Sequence, residues 1–315
     1  MKLVVLDAGT LGDDLDLTPL KACGEVTVWK TTAPEEVEMH LGDAEVAIVN
    51  KVKLTEENLS GAHALRLICV AATGYDNIDI AFCRRAEIAV CNVAGYSTNS
   101  VAQVTASLAL TLATHIPEYA RYVSEGAYSI SGMANKVAPP YAELNGKTWG
   151  IVGYGNIGRK VACIAEALGC RVIVNRRKPT ADACCVDIDT LCRESDIISL
   201  HTPLNEETRG LISRERIAQM RRGVLLTNVA RGAVVDEAAV ADAVLTGQIG
   251  GFGCDVYTAE PFPATHPYDQ LRRRDNVCLL PHMAWASIEA RRRCLIEIIE
   301  NINAFSAGMF RNRIV

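Results

Sequence analysis

Short, wholly apolar runs alternate with mixed, helix-like stretches from the first residues of this chain. Residues 3–6, 26–29, 46–49, 66–71 and 88–91 are Val-, Ile- and Leu-rich and read as strands, while 34–41, 55–59 and 80–86 between them read as helices. Strands apolar along their whole length, separated by helices, belong to a parallel sheet covered on both faces. Ser100 with Gln103 fits a capping box and predicts a helix over 101–116. That helix is apolar nearly all round, so it is expected to be buried on most sides, opening a second domain or wedged between two. Residues 126–141, with Gly132, Pro139, Pro140 and weak periodicity, read as a loop or arm.

From Thr148 the alternation restarts more strongly. Strands are expected at 149–152, 171–174, 197–201, 224–228, 251–255 and 277–280, with helices at 156–168, 188–192, 214–220 and 237–246. Six such strands suit a complete doubly wound nucleotide-binding sheet. A last helix, 287–305, is expected to return to the first domain. The expected architecture is therefore α/β with two doubly wound units, the nucleotide unit (98–286) inserted into the other (1–97 and 287–315).

Composition narrows the function classes. Of 315 residues, 49% are hydrophobic and 22% charged, an ordinary globular balance. A net charge of -5, with Arg272–Arg274 and Arg291–Arg293 as short runs beside acids, speaks against nucleic acid as a partner. No apolar stretch approaches a bilayer span, and the N-terminal run lacks the features of a secretory leader, so no membrane partner is expected. Many of the twelve cysteines lie inside apolar runs, none forms a CxxC pair, and Cys184 and Cys185 are adjacent. Reduced thiols in a cytoplasmic protein are the expectation; Cys163 and Cys185 have no evident activating neighbour.

Gly153, Tyr154, Gly155, Asn156, Ile157 and Gly158 form a GxGxxG pattern that follows a predicted strand and opens a predicted helix. In that setting Gly153 permits a tight turn, Gly155 lets backbone approach a pyrophosphate, and Gly158 allows close helix–strand packing. The helix N-terminus then stabilises phosphate charge. After the next strand, where an NAD site usually places an acid for the ribose 2′-OH, stand Asn175, Arg176, Arg177 and Lys178. Guanidinium groups bind a 2′-phosphate with charge-assisted bonds, so NADP(H) is the expected preference. The plainer alternative is a basic surface loop that leaves NAD(H) possible.

Three later strand ends carry reactive side chains, where open α/β sheets hold their ligands. Arg231 follows the strand 224–228, Glu260 the strand 251–255, and His282 the strand 277–280. Singly, each has an ordinary reading as an exposed cation, a loop acid or a cap. Together beside a dinucleotide loop they suit hydride transfer to the carbonyl of a 2-oxo acid. Arg231 can hold the substrate carboxylate and polarise the ketone, and His282 can protonate the forming alkoxide. Glu260 can orient that histidine and favour its charged form. Asp255, at its strand end, could accept a hydrogen bond from the nicotinamide carboxamide. No metal is called for.

These segments, with Ser-Leu-His-Thr-Pro-Leu at 199–204 and Asn-Val-Ala-Arg-Gly at 228–232, resemble the D-isomer-specific 2-hydroxyacid dehydrogenase family. The resemblance covers essentially the whole chain, including Thr-Gly-Tyr-Asp-Asn-Ile-Asp at 73–79 and Asn-Val-Ala-Gly-Tyr-Ser-Thr at 92–98. It implies Arg231, Glu260 and His282 as the catalytic Arg, Glu and His. It further implies a Rossmann nucleotide-binding domain inserted in a flavodoxin-like substrate domain, and a homodimer. By the same resemblance, backbone around Thr73 and Gly74 holds the substrate carboxylate. His201, Thr202 and Pro203 line the adenosine side with Thr208 nearby, and Val229, Ala230, Arg231 and Asp255 approach the nicotinamide. Lys51, Tyr75, Tyr96 and Trp285 are expected to shape the pocket. Residues 48–51 and 282–287 look most like the hydroxypyruvate/glyoxylate reductase (glycerate dehydrogenase) branch. Arg176 departs from the family's common acid, which puts NAD use in doubt. A cofactor-sensing, corepressor-like protein on the same scaffold stays open, as does an enzyme for an aromatic or branched 2-oxo acid. Phosphoglycerate dehydrogenase and formate dehydrogenase fit less well, the first for want of a regulatory C-terminal domain, the second for needing no proton donor.

Overall fold

Strands buried at every residue need neighbours on both edges and layers on both faces, and both sheets of this chain meet that need. The computed structural model describes residues 1–178 and 181–315. The chain divides into two units, Met1–Ser97 with Ala286–Val315, and Thr98–Trp285.

In the first unit β1 (Lys2–Val5), β2 (Glu25–Val28), β3 (Val46–Val49), β4 (Leu67–Val70) and β5 (Ala89–Cys91) form one sheet. Its order is β2-β1-β3-β4-β5 and every pairing is parallel. Each residue of β3 and β4 is buried, as their unbroken apolar sequence requires. The helices α1 (Val37–Leu41), α2 (Glu56–Leu59) and α3 (Ile80–Arg85) supply the crossovers, and the helix Ile288–Ser306 packs on β4. The stretch expected as one helix over 34–41 opens with a 3-10 turn, Pro34–Glu36, before α1. The β5 edge is covered by the end of the chain. Ile314 N–H donates to Val90 O at 2.8 Å, and Val90 N–H donates to Val315 O at 3.1 Å. Pairing of this kind removes an edge that would otherwise recruit foreign strands.

The second unit opens with α4 (Thr98–Thr114). The helix begins before Ser100, so the expected capping box is not its start; Ser100 lies inside it, with its hydroxyl donating to Ala284 O at 2.6 Å. It also stops short of residue 116. His115 adopts a left-handed conformation (φ 53), and Pro117 in the first turn of α5 (Ile116–Ser124) has no N–H with which to continue a helix. Within the expected loop 126–141 a short helix, α6 (Ala127–Ser131), forms between Gly126 and Gly132, both left-handed.

Then come β6 (Thr148–Val152), α7 (Asn156–Ala167), β7 (Arg171–Asn175), α8 (Ile188–Glu194), β8 (Ile197–Leu200), α9 (Arg214–Gln219), β9 (Val224–Asn228), α10 (Glu237–Thr246), β10 (Ile249–Cys254) and β11 (Val277–Leu279). All pairings are parallel, in the order β11-β10-β9-β8-β6-β7. Outside β7 the next strand position is reduced to a single bridge between Val174 and Cys185. The chain lays β7 on one side of β6 and β8 on the other, so the winding reverses between β6 and β8. That reversal opens a crevice at the carboxyl ends of the two strands. Trp149, Ile151 and Phe252 are fully buried and anchor the sheet in its helical layers. The twelve cysteines are unbridged, and among the described residues no helix is long and apolar enough to cross a membrane.

Candidate active site

The glycine loop occupies the crevice. Gly153 follows β6 with φ 95, and a Cβ there would lie 2.7 Å from the carbonyl carbon and oxygen of His201 and 2.8 Å from Thr202 N. Only glycine lets the loop rest on the backbone that leaves β8. A Cβ on Gly158 would come within 2.1 Å of Gly153 O, whereas the side-chain position of Gly155 faces open space. Asn156 begins α7 immediately afterwards, so unpaired helix N–H groups sit beside that space. Tyr154 and Ile157 pack on the core around Trp149 and Ile151, and Arg159 stacks over the Tyr154 ring at 4.6 Å while pairing with Asp182.

Across the crevice, both ring nitrogens of His201 are buried without a hydrogen-bond partner. Burial holds its pKa down to about 3, so the ring is neutral. A cradle with room for phosphates and a neutral ring with uncommitted nitrogens fit a dinucleotide. Thr202 is half-buried and Pro203 exposed. The Thr208 hydroxyl donates to Pro203 O at 2.6 Å, so it shapes this turn. Arg176, half-buried, and Arg177, exposed, follow the end of β7 at Asn175.

At the end of β9, Asn228 is buried and braces the next turn. Its amide donates to Arg231 O at 2.9 Å and its carbonyl accepts from Ala230 N at 3.0 Å. Val229 to Arg231 are thus held in a fixed bend, with an Arg231 guanidinium N–H also on Ala230 O at 2.8 Å. Past β10, Asp255 is buried. Its two carboxylate oxygens accept from Met283 N at 2.7 Å and Ala284 N at 2.8 Å. Burial raises its pKa, and the two backbone N–H groups oppose that shift. Asp255 therefore already fixes the segment after β11, in addition to any bond it makes to a ligand.

That segment needs fixing. His282 has φ 55, a left-handed conformation costing a non-glycine residue about 1 kcal/mol or more. Asp255 holds the next two N–H groups, and Trp285 Nε1 donates to His282 O at 3.0 Å. The ring is thereby turned so that Nδ1 meets Glu260 Oε2 at 2.6 Å. A carboxylate only accepts, so Nδ1 carries the proton of that bond. Glu260 is itself oriented by Tyr257 N–H, which donates to Oε1 at 2.9 Å. Sequence reasoning expected Glu260 to orient His282, and in the structure the two side chains are in contact.

The remaining expected residues lie in the first unit. Lys51 sits on a loop gripped by buried Asp7, whose carboxylate accepts from Asn50, Lys51 and Val52 N–H at 2.9, 2.5 and 3.0 Å. Thr73 is tied on both sides, its hydroxyl to Val93 O at 2.9 Å and its carbonyl to the Asn92 amide at 2.7 Å. Gly74 follows it, Tyr75 is partly exposed, and Tyr96 is buried.

Sequence reasoning missed Asp7, Asn228 and Glu237. Asp7 and Asn228 each stand just past or at a strand end, a position that signals loop bracing once the strand is known. Glu237 reads in sequence as an ordinary acid in the first turn of a helix, and nothing there betrays its burial. Among the described residues no cluster could hold a metal ion.

A sheet with this crevice and these strand ends defines an oxidoreductase that works with a nicotinamide cofactor on the CH–OH group of its donors. The chain belongs to the D-isomer specific 2-hydroxyacid dehydrogenase family, whose NAD binding domain matches residues 106–284. It is 34% identical to a hydroxypyruvate reductase of Blautia hydrogenotrophica over 317 aligned residues, covering 98% of each chain. Among solved structures it is similar to an acyclic imino acid reductase in complex with NADPH and D-Arg (TM-score 0.89, 30% identity, 100% of each chain). It is also similar to the D-lactate dehydrogenase of Aquifex aeolicus complexed with NAD and lactic acid (TM-score 0.85, 31% identity, 98% of this chain and 96% of that one). The reaction is thus reduction of a 2-oxo acid with NAD(P)H, or its reverse.

Proposed function

We propose that the chain reduces a small 2-oxo acid of the hydroxypyruvate or glyoxylate type to the D-2-hydroxy acid, with NADPH preferred over NADH. The observation that carries this reading is the 2.6 Å contact between His282 Nδ1 and Glu260 Oε2. It places a compensating carboxylate behind the imidazole that we assign as the proton donor for an alkoxide. Bound nicotinamide supplies the hydride. Arg231, set by Asn228, holds the substrate carboxylate and stabilises charge on the carbonyl oxygen. By family resemblance, Lys51, Thr73, Gly74, Tyr75 and Trp285 are proposed as substrate-binding residues. Gly153 to Gly158 receive the pyrophosphate, while His201, Thr202 and Pro203, held by Thr208, line the adenosine. Val229, Ala230 and Asp255 approach the nicotinamide ring.

Arg176 and Arg177 support the NADPH preference, since they stand where a carboxylate would repel a 2′-phosphate. The chain is further proposed to be a cytoplasmic homodimer. Twelve unbridged thiols suit a reducing compartment. In the stretch 116–141, Ile116, Val123, Ile130, Met133, Val137 and Tyr141 expose large apolar surfaces, which suits a second copy.

The test is initial-rate kinetics on a panel of 2-oxo acids with both reduced cofactors. Hydroxypyruvate or glyoxylate should give the highest kcat/KM with NADPH, and Arg176→Asp should move the preference at least tenfold toward NADH. A wild-type preference for NADH overturns the cofactor assignment, and a preference for aromatic or branched acids overturns the substrate assignment.

A further inference from the structure

The turn that carries Glu260 is clamped from two sides by groups that take no part in the chemistry proposed above. On one side lies Gly232, next to Arg231. A Cβ there would stand 2.1 Å from the carbonyl carbon of Tyr257 and 2.2 Å from Thr258 N, so the backbone after β9 lies directly on the backbone before Glu260. On the other side lies Glu237, the first residue of α10, which is buried. Its Oε1 accepts from Thr258 N at 3.0 Å and its Oε2 from the Thr258 hydroxyl. The same Oε2 stands 2.9 Å from His266 Nε2. Tyr268 N donates to His266 Nδ1 at 3.2 Å, so Nδ1 is the acceptor and Nε2 carries the hydrogen given to Glu237.

A buried carboxylate is costly unless its lone pairs are filled, and here they are filled by residues on both flanks of Glu260. Its place in the first turn of a helix also favours negative charge. Any rotation of the 257–260 turn would therefore strand Glu237 with unmet acceptors. The turn in turn supplies Tyr257 N–H, which aims Glu260 at His282.

We propose that Glu237, acting through Thr258 and His266, is a positioning residue for the Glu260–His282 pair: a three-residue brace, buried at Glu237 and His266, that fixes the catalytic carboxylate without touching substrate. The inference rests on Glu260 serving His282 as proposed above. Thr258 is the point at which to test it, because Glu237→Gln also disturbs a buried core. Thr258→Val removes the hydroxyl donor and keeps the shape; Thr258→Ser restores the hydroxyl. In the full-length enzyme with saturating NADPH and the best 2-oxo acid, Thr258→Val should lower kcat by about tenfold with KM for NADPH unchanged. Thr258→Ser should recover most of the loss. In a Glu260→Gln background, Thr258→Val should cost no further kcat, because both changes disable one path.

An unchanged kcat in Thr258→Val, or a full additional loss on top of Glu260→Gln, overturns the brace. Unchanged kcat in Glu260→Gln alone overturns the reading on which it rests, and the brace with it. A fall in melting temperature with kcat preserved makes Glu237 merely structural and also overturns the proposal.

Discussion

At the scale of single residues, two histidines show how surroundings divide one side-chain type between roles. His282 is bent into a left-handed conformation and its Nδ1 is held by a carboxylate partner. His201 has neither partner nor charge. Its pKa is lowered from 6.5 to about 3 by burial, so the unfolded chain binds a proton that the folded chain refuses. His201 thus leaves stability intact above about pH 6.5 and erodes it as pH falls toward 3, by up to about 1.4 kcal/mol per pH unit. Urea unfolding between pH 7 and pH 5 should accordingly show a shallower loss for His201→Asn than for the parent. Equal slopes would mean that the ring is open to protonation in the folded state. Asp255 poses the converse case: burial raises its pKa, yet two backbone N–H groups need its charge.

Among the elements, α4, the unit's first helix, is tied to the segment that follows β11. The bond from the Ser100 hydroxyl to Ala284 O joins that helix to the segment carrying His282. Ser100→Ala should lower unfolding free energy by about 1 kcal/mol, measured by denaturant titration. The sequence showed Ser100 as a cap because Thr98, Asn99 and Ser100 are all cap-competent, and only tertiary contact reveals which of them starts the helix. The strands were legible for the opposite reason, since runs such as Val46–Val49 have no other way to bury themselves. Arg231, Glu260 and His282 were singled out through their offsets from strand ends. The Glu237 brace was not, because burial of an acid leaves no mark on its neighbours' identity. The edge of β5 gives a further expectation at this scale. Removing residues 312–315 strips the segment that hydrogen-bonds to Val90, so the truncated chain should aggregate at concentrations where the full chain does not, as light scattering would report.

For the whole molecule, the exposed apolar stretch 116–141 bears on assembly. Ile130 is 85% exposed and Val137 77%, and the homodimer proposed above would cover them. Ile130→Asp with Val137→Asp should halve the mass seen by light scattering after size exclusion; a parent chain that already runs as a monomer refutes the dimer. The two-unit plan itself follows from the alternation of strands and helices resuming at Thr148, and the sequence boundaries at 97/98 and 286/287 stand within one residue of Ser97/Thr98 and Trp285/Ala286. One consequence of that plan concerns synthesis. Thr98–Trp285 is a single uninterrupted stretch, whereas the other unit waits for Ala286–Val315 to supply its last helix and the segment that bonds to β5. On the ribosome, where segments emerge in order and domains fold as units, the nucleotide-binding unit is complete while the unit that was begun first is still unfinished.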